Sequence, residues 1–397
     1  MNRFIANSKV SGKITPPSSK SMLQRSIAAS FLSNTETNLV YNSTCDDSEV
    51  SLRIVEDLKS GIVNELTFGE SGLSLRMFTP ILALQDKEFI ISGEGSLMKR
   101  PVAMMELPLK ELGVSVESKD GLLPMLVKGP IKGGVVTVDG TVTSQFLTGL
   151  LMALPLVKED SVVNVSNLKS KQYTDMTIEV LKSFGVKVIH KNYKKFLIKG
   201  GQNYSAEKII VENDWSSASN FIVAGAIAGS VEIHGLDLGS FQPDKNIIDI
   251  VKTAGADVKI RNSSIVVSKN KLKAFIYNAT DSPDLFPPLV VLASACKGIS
   301  RIQGALRLKY KESNRAEVLV KEFTKLGVKI SVSGDEMIIE GGKIIGGEIN
   351  SHNDHRIAMA GAISGLISEK GITVKNAECV KKSYVDFYKD LEKIMDN

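Results

Sequence analysis

Cysteine, tryptophan and histidine are scarce in this chain of 397 residues, which contains three, one and four of them. The three cysteines (Cys45, Cys296 and Cys379) lie too far apart in sequence to suggest a disulfide framework, so we expect a reducing compartment. The longest apolar stretches, such as 146–157, fall short of the roughly 20 residues that a membrane helix needs. Residues 1–20 contain no apolar run long enough for a signal peptide. The sequence therefore predicts a cytoplasmic protein without disulfides or membrane association.

A strong charge imbalance and the common nucleotide-binding motifs are also missing. The formal net charge is +5, which permits anionic ligands but does not by itself argue for nucleic acid. Neither G-x-x-x-x-G-K-[ST] nor G-x-G-x-x-G occurs, so no P-loop or Rossmann fingerprint supports nucleotide binding. His352 and His355 flank Asp354 without a further His or Cys cluster, which favours a capping or ion-pair role over metal ligation.

Six segments of the chain share one plan: a polar start, an apolar helix rich in small residues, and a short alternating strand. They open near Ser21, Ser71, Ser144, Ser216, Pro283 and Asn353. A second element recurs between them, in which a helix ends at a glycine and an alternating strand follows, with clear copies at Gly113, Gly185, Gly255 and Gly327. The sixth segment ends before such an element, so we expect the N-terminal residues to complete it.

The size and number of these segments narrow the fold. They are too large for stacked solenoid repeats and too few for an eight-fold (β/α) barrel. The fold class is therefore α/β, and we expect two lobes, each a pseudo-threefold arrangement of three βαβ-type repeats. No Gly/Ser-rich linker marks the boundary between the lobes.

The first turns of the six apolar helices hold most of the notable polar residues. They read SSKSMLQR, GESGLSLR, TSQFLTG, DWSSASNF, SPDLFPP and NDHRIAM. N-capping is the expected role of Ser216, Ser217 and Ser282. Capping does not explain the cations in or near these turns, because a positive charge there opposes the helix dipole. These cations are Lys20, Arg25, Arg76 and Arg356. We infer that anions bind at the same helix starts, which are natural anion sites.

Further charged residues fit an anion site, although each alone is typical of a solvated surface. Arg100 lies just before Pro101, and Lys382 belongs to a lysine pair near the C-terminus. We expect a helix KESNRAEVLVKEF to open at Lys311, with Glu312 and Arg315 on one face. Asp284 follows a proline at a helix start, where an acidic residue is favoured by the dipole alone. The case for a site rests on recurrence at equivalent positions.

At these residues the sequence resembles a known family, the 5-enolpyruvylshikimate-3-phosphate (EPSP) synthases. SSKSMLQR is similar to that family's P-G-S-K-S-x-x-x-R, and TSQFLTGLLMALPL is similar to S-S-Q-F-L-x-x-L-L-M-A-x-P. KYKESNR resembles K-E-S/T-D-R, NDHRIAMA resembles N-D-H-R-x-A-M, and DWSSASNF resembles D-x-S-S-A-S. The similarities run in order from residue 16 to about 388, and the ordered set is far more specific than any single motif.

The resemblance implies an inside-out α/β architecture with lobes 19–211 and 1–18 plus 212–397, and an active site in the cleft between them. The implied reaction moves the enolpyruvyl group of phosphoenolpyruvate to the 5-hydroxyl of shikimate 3-phosphate and releases phosphate. It implies no metal and no organic cofactor, two small-molecule substrates, no nucleic-acid partner and a monomer. Glyphosate is expected to compete with phosphoenolpyruvate.

The resemblance also assigns residues. Shikimate 3-phosphate would be bound by Lys20, Ser21, Arg25, Thr143, Ser144, Gln145, Ser170, Tyr173, Asp284 and Lys311. Phosphoenolpyruvate would be bound by Lys20, Gly72, Arg100, Gln145, Arg315, Arg356 and Lys382. Asp284 would accept the proton of the 5-hydroxyl, and Glu312 would protonate the methylene carbon. Lys20 and Lys311 could share these proton transfers.

Two features bear on this assignment. Glu70 stands where the family commonly has Asn, and its charge is expected to weaken anion binding unless it bonds backbone amides. The main rival of the same fold is UDP-N-acetylglucosamine enolpyruvyl transferase, which typically carries a cysteine in a mobile loop before R-P. The corresponding stretch here, GEGSLMKRP, has no cysteine. A cofactor-free anion-binding or RNA-phosphate-processing protein built on the same repeats is a rival of a different class.

Overall fold

The computed structural model describes residues 1–396, and its regular elements alternate along the chain. The helices are α1 (Lys20–Phe31), α2 (Asp46–Ser60), α3 (Gly72–Leu82), α4 (Glu106–Glu111), α5 (Gln145–Ala153), α6 (Lys171–Ser183), α7 (Trp215–Ala228), α8 (Ile247–Ala254), α9 (Phe286–Ala295), α10 (Arg315–Lys325), α11 (His355–Gly365) and α12 (Phe387–Ile394). The strands are β1 (Asn2–Ile5), β2 (Val10–Ile14), β3 (Asn38–Val40), β4 (Glu65–Thr67), β5 (Glu88–Ser92), β6 (Ser115–Lys119), β7 (Leu122–Lys128), β8 (Val135–Asp139), β9 (Ser161–Ser166), β10 (Val188–Lys191), β11 (Lys195–Ile198), β12 (Lys208–Ile210), β13 (Gly229–His234), β14 (Asp257–Ile260), β15 (Ser264–Ser268), β16 (Ile276–Asn278), β17 (Ile299–Gln303), β18 (Lys329–Ser333), β19 (Glu336–Glu340), β20 (Gly347–Asn350) and β21 (Ile372–Lys375).

One sheet topology recurs four times. The sheets β4-β5-β7-β6, β8-β9-β11-β10, β2-β13-β15-β14 and β16-β17-β19-β18 have the same strand order. In each, the first two strands are parallel, and the remaining pairs are antiparallel. Strand β5 shows the alternation behind this, because Phe89 and Ile91 are buried whereas Glu88 and Ile90 are exposed. The predicted helix–strand repeats are confirmed.

The glycines between the repeats behave as the sequence indicates. Gly113, Gly185, Gly255 and Gly327 follow the ends of α4, α6, α8 and α10, with φ values of 83°, 78°, 102° and 87°. This left-handed conformation closes a helix at little cost for glycine alone. Each glycine therefore turns the chain from a helix into the hairpin that follows.

The chain divides into two compact units with separate hydrophobic cores. We call Lys20–Val211 the inserted unit, and Met1–Ser19 together with the chain from Glu212 onward the terminal unit. Each unit contains three of the sheets. In the inserted unit the last strand, β12, pairs in parallel with the first, β3.

The terminal unit uses the N-terminal residues twice. Strand β1 pairs antiparallel with β21, in the register Asn2↔Lys375, so the prediction that the N-terminus completes the last repeat is confirmed. Strand β2 pairs in parallel with β13 and so supplies the first strand of the fourth repeat, which the sequence did not indicate. The chain between β2 and α7 forms the inserted unit.

The helices that open the repeats lie inside, and the sheets lie outside them. Helix α7 has no charged residue and is buried along its whole length, as expected of a helix that is apolar all round. In the terminal unit α7, α9 and α11 pack against one another, and in the inserted unit α3 packs closely on α5. Gly149 permits that approach, because a Cβ there would lie 2.5 Å from the carbonyl oxygen of Met77.

One helix boundary differs from the prediction. Helix α10 begins at Arg315, so the expected helix start at Lys311 is wrong. A 3-10 helix, Ala305–Tyr310, precedes it, and Lys311 is extended with φ −83° and ψ −165°.

Among residues 1–396, none of the helices combines the length and apolar character that crossing a membrane would require.

Replacing Gly149 by alanine is expected to destabilise the inserted unit by about 1–3 kcal/mol, although alanine is the better helix former. The added methyl group would collide with backbone atoms of α3, which cannot move aside as a side chain can. Denaturant unfolding followed by circular dichroism measures the change. Gly342→Ala is the control, because nothing lies within 4 Å of the position that its new methyl group would take. Equal stability of both variants would contradict the close helix packing.

Candidate active site

In the inserted unit, the start of α1 carries a buried ion pair. Lys20 Nζ lies 2.8 Å from Asp47 Oδ2, and both side chains are nearly buried. The carboxylate offsets a positive charge that the helix N-terminus would otherwise repel. Asp47 lies in the first turn of α2, where an acidic residue looks like ordinary dipole compensation, and the sequence analysis missed it.

A buried amide joins three of these helices. Gln24 Nε2 in α1 donates to the Asp47 carbonyl oxygen of α2 at 3.1 Å. It also contacts the hydroxyls of Ser71 and Ser74, at the start of α3, at 2.9 and 2.7 Å. Gln24 therefore links α1 and α3, the helices that begin at Lys20 and Gly72.

Arg25 is a buried cation that is bonded to uncharged groups. Its guanidinium donates to Thr177 Oγ1 at 3.0 Å, to the Ser21 carbonyl at 2.7 Å and to the Tyr173 carbonyl at 3.3 Å. Burial lowers the pKa of Arg25 to about 10, and Tyr173 opposes this lowering. No carboxylate of residues 1–396 pairs with it. A buried charge without a counter-ion is costly, so an anionic ligand at this point would be strongly favoured.

Arg100 is a second buried arginine without a carboxylate partner within residues 1–396, and it lies beside the first turn of α3. A Cβ on Gly72 would come within 2.6 Å of Arg100 Nη1 and 2.9 Å of Arg76 Nη1, so the two guanidiniums approach because position 72 has no side chain. Arg76 donates to Gln145 Oε1 at 3.1 Å and to the Pro101 carbonyl at 3.0 Å. Arg100 is 9% exposed, and its guanidinium has neither a hydrogen-bond acceptor nor a carboxylate partner within residues 1–396.

Glu70 bonds a backbone amide, the contact under which its charge is not expected to weaken anion binding. Its Oε1 accepts from the amide of Ser96 at 3.2 Å. Ser96 lies in the 3-10 helix Gly95–Lys99, directly before Arg100. Glu70 therefore helps to hold the segment that presents Arg100.

Further predicted residues lie at the starts of α5 and α6. Ser144 precedes α5 and makes no side-chain capping bond, while Thr143 Oγ1 accepts from the Gln145 amide at 3.1 Å. Ser170 precedes α6 in a left-handed conformation, and Tyr173 lies in the first turn of α6. The two helices are linked by a hydrogen bond of 3.1 Å between Thr148 and Thr177, and Thr177 also binds Arg25.

In the terminal unit, Arg315 is fully buried and its guanidinium contacts three carboxylates. Nε lies 2.9 Å from Asp354 Oδ2, Nη1 lies 3.0 Å from Asp284 Oδ1, and Nη2 lies 2.6 Å from Glu312 Oε2. Asp354 is fully buried and also caps α11 by accepting from the Arg356 amide at 3.0 Å. Its local sequence is typical of a capping residue, so only its second bond, to Arg315, was missed.

The carboxylate of Asp284 contacts three cations. Besides Arg315, Arg356 Nη2 lies 3.0 Å and Lys311 Nζ lies 3.4 Å from its carboxylate. Burial alone would raise the pKa of Asp284, but Arg356, Lys311 and Arg315 outweigh it and hold that pKa well below its usual range. Burial also lowers the pKa of Lys311, against the opposing effect of Asp284. The cluster therefore contains an ionised acid beside a lysine that gives up its proton more readily than usual.

The serines assigned to capping have other contacts. Asp214 caps α7 by accepting from the amides of Ser216 and Ser217 at 2.7 and 3.2 Å, so the capping prediction for both serines is wrong. Ser216 Oγ instead accepts a hydrogen bond from Arg356 Nη1. Ser282 makes no side-chain capping bond, and its hydroxyl lies 2.8 Å from that of Tyr277.

Asp244 is an acidic member of this cluster that the sequence analysis missed. It lies in the short 3-10 helix Pro243–Asn246 and is almost fully buried. Burial and the nearby charge of Asp284 raise the pKa of Asp244 to about 7, although Arg356 and a hydrogen bond from Ser216 oppose the rise. Asp244 thus holds a proton near neutral pH, next to an acid that does not.

Two further residues that the sequence singled out, Lys382 and His352, lie in the terminal unit. Lys382 is buried and ends the 3-10 helix Ala377–Lys382, which packs on α11. His352 Nε2 forms a hydrogen bond of 2.9 Å with Glu322 Oε1, and the expected ion-pair role stays a prediction. Within residues 1–396, no group of three or more His, Cys, Asp or Glu side chains is arranged to hold a metal ion.

The fold is that of an enolpyruvyl transferase. The enolpyruvyl transferase NikO from Streptomyces tendae, at 15% identity, aligns over 100% of this chain and 97% of its own with a TM-score of 0.76. The family model of EPSP synthase (3-phosphoshikimate 1-carboxyvinyltransferase) matches residues 61–391. The chain belongs to this family, which the resemblance of its motifs had indicated.

Individual relatives agree over the full length. The chain is 36% identical to a 3-phosphoshikimate 1-carboxyvinyltransferase of Clostridium novyi (strain NT), over 99% of this chain and 97% of the relative. It is 35% identical to one of Clostridium perfringens, over 98% and 97%. The solved EPSP synthase of Acinetobacter baumannii is similar with a TM-score of 0.83 at 25% identity, over 99% of this chain and 98% of that one.

The raised pKa of Asp244 predicts a pH-dependent effect of Asp244→Asn. The folded chain keeps a proton that the unfolded chain, with the ordinary pKa of 3.8, releases, so the stability tied to that proton is lost as pH rises through about 7. The variant lacks this loss. Its free energy of unfolding, relative to that of wild type, should therefore rise by at least about 1 kcal/mol between about pH 5 and about pH 8. Fluorescence of the single tryptophan, the buried Trp215, reports unfolding of the terminal unit. A pH-independent difference would contradict the assignment.

Proposed function

We propose that this chain transfers the enolpyruvyl group of phosphoenolpyruvate to the 5-hydroxyl of shikimate 3-phosphate and releases phosphate. The observation that carries the proposal is the pair of buried arginines, Arg25 and Arg100, that lack a carboxylate partner within residues 1–396. Both substrates carry a carboxylate and a phosphate, and guanidinium forks suit both groups. Membership of the EPSP synthase family supports the choice of substrates.

Shikimate 3-phosphate binds mainly to the inserted unit. Arg25 and Ser21 take its carboxylate, which gives the buried Arg25 its missing counter-ion. The hydroxyls at the starts of α5 and α6 take its phosphate, with Gln145 and Tyr173 beside the ring. Support for this comes from the Ser144 hydroxyl, which forms no hydrogen bond among residues 1–396 and remains available as a donor. The phosphate-binding residues are Thr143, Ser144 and Ser170.

Phosphoenolpyruvate binds to cations of both units, and we place the active site in the cleft between lobes 19–211 and 1–18 plus 212–397. The binding residues are Lys20, Gly72, Arg100 and Gln145 from the first lobe and Arg315, Arg356 and Lys382 from the second. Neither lobe alone supplies the full set of proposed binding residues. The absence of a side chain at Gly72 lets the substrate reach Arg100.

The carboxylates of the terminal unit supply the proton transfers. Asp284 and Glu312 are held by Arg315, and the anionic groups of phosphoenolpyruvate compete for the same guanidiniums. Loss of these partners raises the affinity of both acids for protons. Glu312 then protonates the methylene carbon while the 5-hydroxyl oxygen bonds to C2 and gives its proton to Asp284. The tetrahedral intermediate then returns a methyl proton to the Glu312 carboxylate and expels phosphate, which takes the proton held by Asp284, with Lys20 and Lys311 assisting these transfers.

We also propose that the enzyme acts as a monomer in the cytoplasm. Every residue assigned to the substrates comes from one chain, so no second copy is needed. The three cysteines are free, and two of them are buried, which suits a reducing compartment. Competition by glyphosate stays a prediction of the family resemblance.

Phosphate release tests the proposed reaction. Purified protein mixed with both substrates is expected to release phosphate, and omitting either substrate should abolish the release. Release with UDP-N-acetylglucosamine in place of shikimate 3-phosphate would move the chain to the cell-wall branch of the fold. A steep salt dependence of binding to RNA, without phosphate release, would favour the nucleic-acid rival.

Lys20→Ala and Glu312→Ala are each expected to fold normally and to lose turnover by about a hundredfold or more, because each removes a group that moves or stabilises a proton. Steady-state phosphate release measures the loss. Lys321→Ala and Glu317→Ala are matched controls, since both side chains are exposed on α10. Near-normal turnover in either test variant would remove that residue from the proposed proton transfers.

A further inference from the structure

Glu322 is a fully buried carboxylate that the proposed reaction does not use. It lies in α10, two turns after Arg315, so the two side chains project from the same face of the helix. Its oxygens accept from His352 Nε2 at 2.9 Å, Lys325 Nζ at 2.7 Å and the Asn350 amide at 3.0 Å. Burial would raise the pKa of Glu322, but these three hydrogen bonds outweigh it and hold that pKa below the usual value.

The segment that Glu322 holds is backbone-strained. His352 and Asn353 have φ values of 52° and 60°, in the left-handed region that non-glycine residues rarely occupy. Such residues are disfavoured and persist only where surrounding contacts impose them. Glu322 supplies two of those contacts directly, through the Asn350 amide and the His352 ring.

The strained segment leads straight into the active-site cluster. The residue after Asn353 is Asp354, which caps α11 and binds Arg315. Helix α10 therefore contacts both ends of segment 350–354, through Glu322 at the start of the segment and through Arg315 at its end. Without the contacts of Glu322, His352 and Asn353 can leave the left-handed conformation, and Asp354 then loses the position from which it orients Arg315 and the start of α11.

We propose that Glu322 is a positioning residue that, through His352 and the Asn350 amide, sets Asp354 and hence the guanidiniums of Arg315 and Arg356. The inference rests on the proposed function, in which both guanidiniums bind phosphoenolpyruvate. It predicts a selective effect: binding of phosphoenolpyruvate depends strongly on Glu322, and binding of shikimate 3-phosphate, which relies mainly on the inserted unit, depends on it much less.

The test compares Glu322→Ala, Glu322→Gln and the control Glu317→Ala, an exposed site on the same helix. Glu322→Ala is expected to raise the KM for phosphoenolpyruvate at least about tenfold and to change the KM for shikimate 3-phosphate less than about twofold. Glu322→Gln keeps an acceptor for the Asn350 amide and a polar contact with His352, and should restore the KM to within about threefold of wild type. A lower kcat with both KM values unchanged indicates only less folded enzyme and would overturn the proposal.

Hydrogen exchange gives a readout that does not require turnover. In Glu322→Ala, amides of 350–356 should exchange faster, while buried amides of 318–326 keep wild-type rates. If wild type released no phosphate, the proposed function would fail, and this measurement would still decide whether Glu322 holds the segment. His352→Ala, at a partly exposed site, serves if Glu322→Ala does not fold, and should show the same changes to a smaller extent. Unchanged exchange and an unchanged KM in His352→Ala would overturn the proposal.

Discussion

A guanidinium buried in a protein has to be met by acceptors or by a counter-ion, and this constraint shapes both units of the chain. Arg315 meets it with three carboxylates, and Arg76 meets part of it with carbonyl and amide oxygens. Arg25 is left with uncharged partners, and Arg100 lacks even those within residues 1–396. Carboxylates therefore neutralise Arg315 in the terminal unit, whereas Arg25 and Arg100 in the inserted unit have no such counter-ion within residues 1–396.

The same constraint explains how the terminal unit ties its elements together. Asp354 serves α11 as a cap and α10 as the carboxylate partner of Arg315, so one side chain fixes two helix starts. Asp284 joins Arg315 to Arg356, and Ser216 adds α7 to the network through Arg356. Because Arg315 and Arg356 each have more than one anionic or polar partner, they couple the charges of several side chains.

Local patterns predicted the repeats well, because each depends on neighbours in sequence. The alternation in β5 and the left-handed glycine at Gly113 are properties of a few consecutive residues. The ordered motifs also identified the family. Prediction failed where a local pattern had two readings: Ser216 and Ser217 look like caps, yet Asp214 takes that role. A helix start was predicted at Lys311, but the chain there is extended, and Lys311 and Glu312 reach Asp284 and Arg315 from outside the helix.

By itself, then, the sequence determined the α/β class, the six repeats, the family and the cations that gather at helix starts, since periodicity and motifs are written in consecutive residues. Only the tertiary structure decided which carboxylate meets which cation. Asp47 reaches Lys20 across 27 residues, and Asp284 reaches Arg356 across 72. The raised pKa of Asp244 and the double use of the N-terminal strands are of the same kind. Such pairings depend on how separately formed helices and sheets pack, because burial and charge act through space and leave no mark in the local sequence.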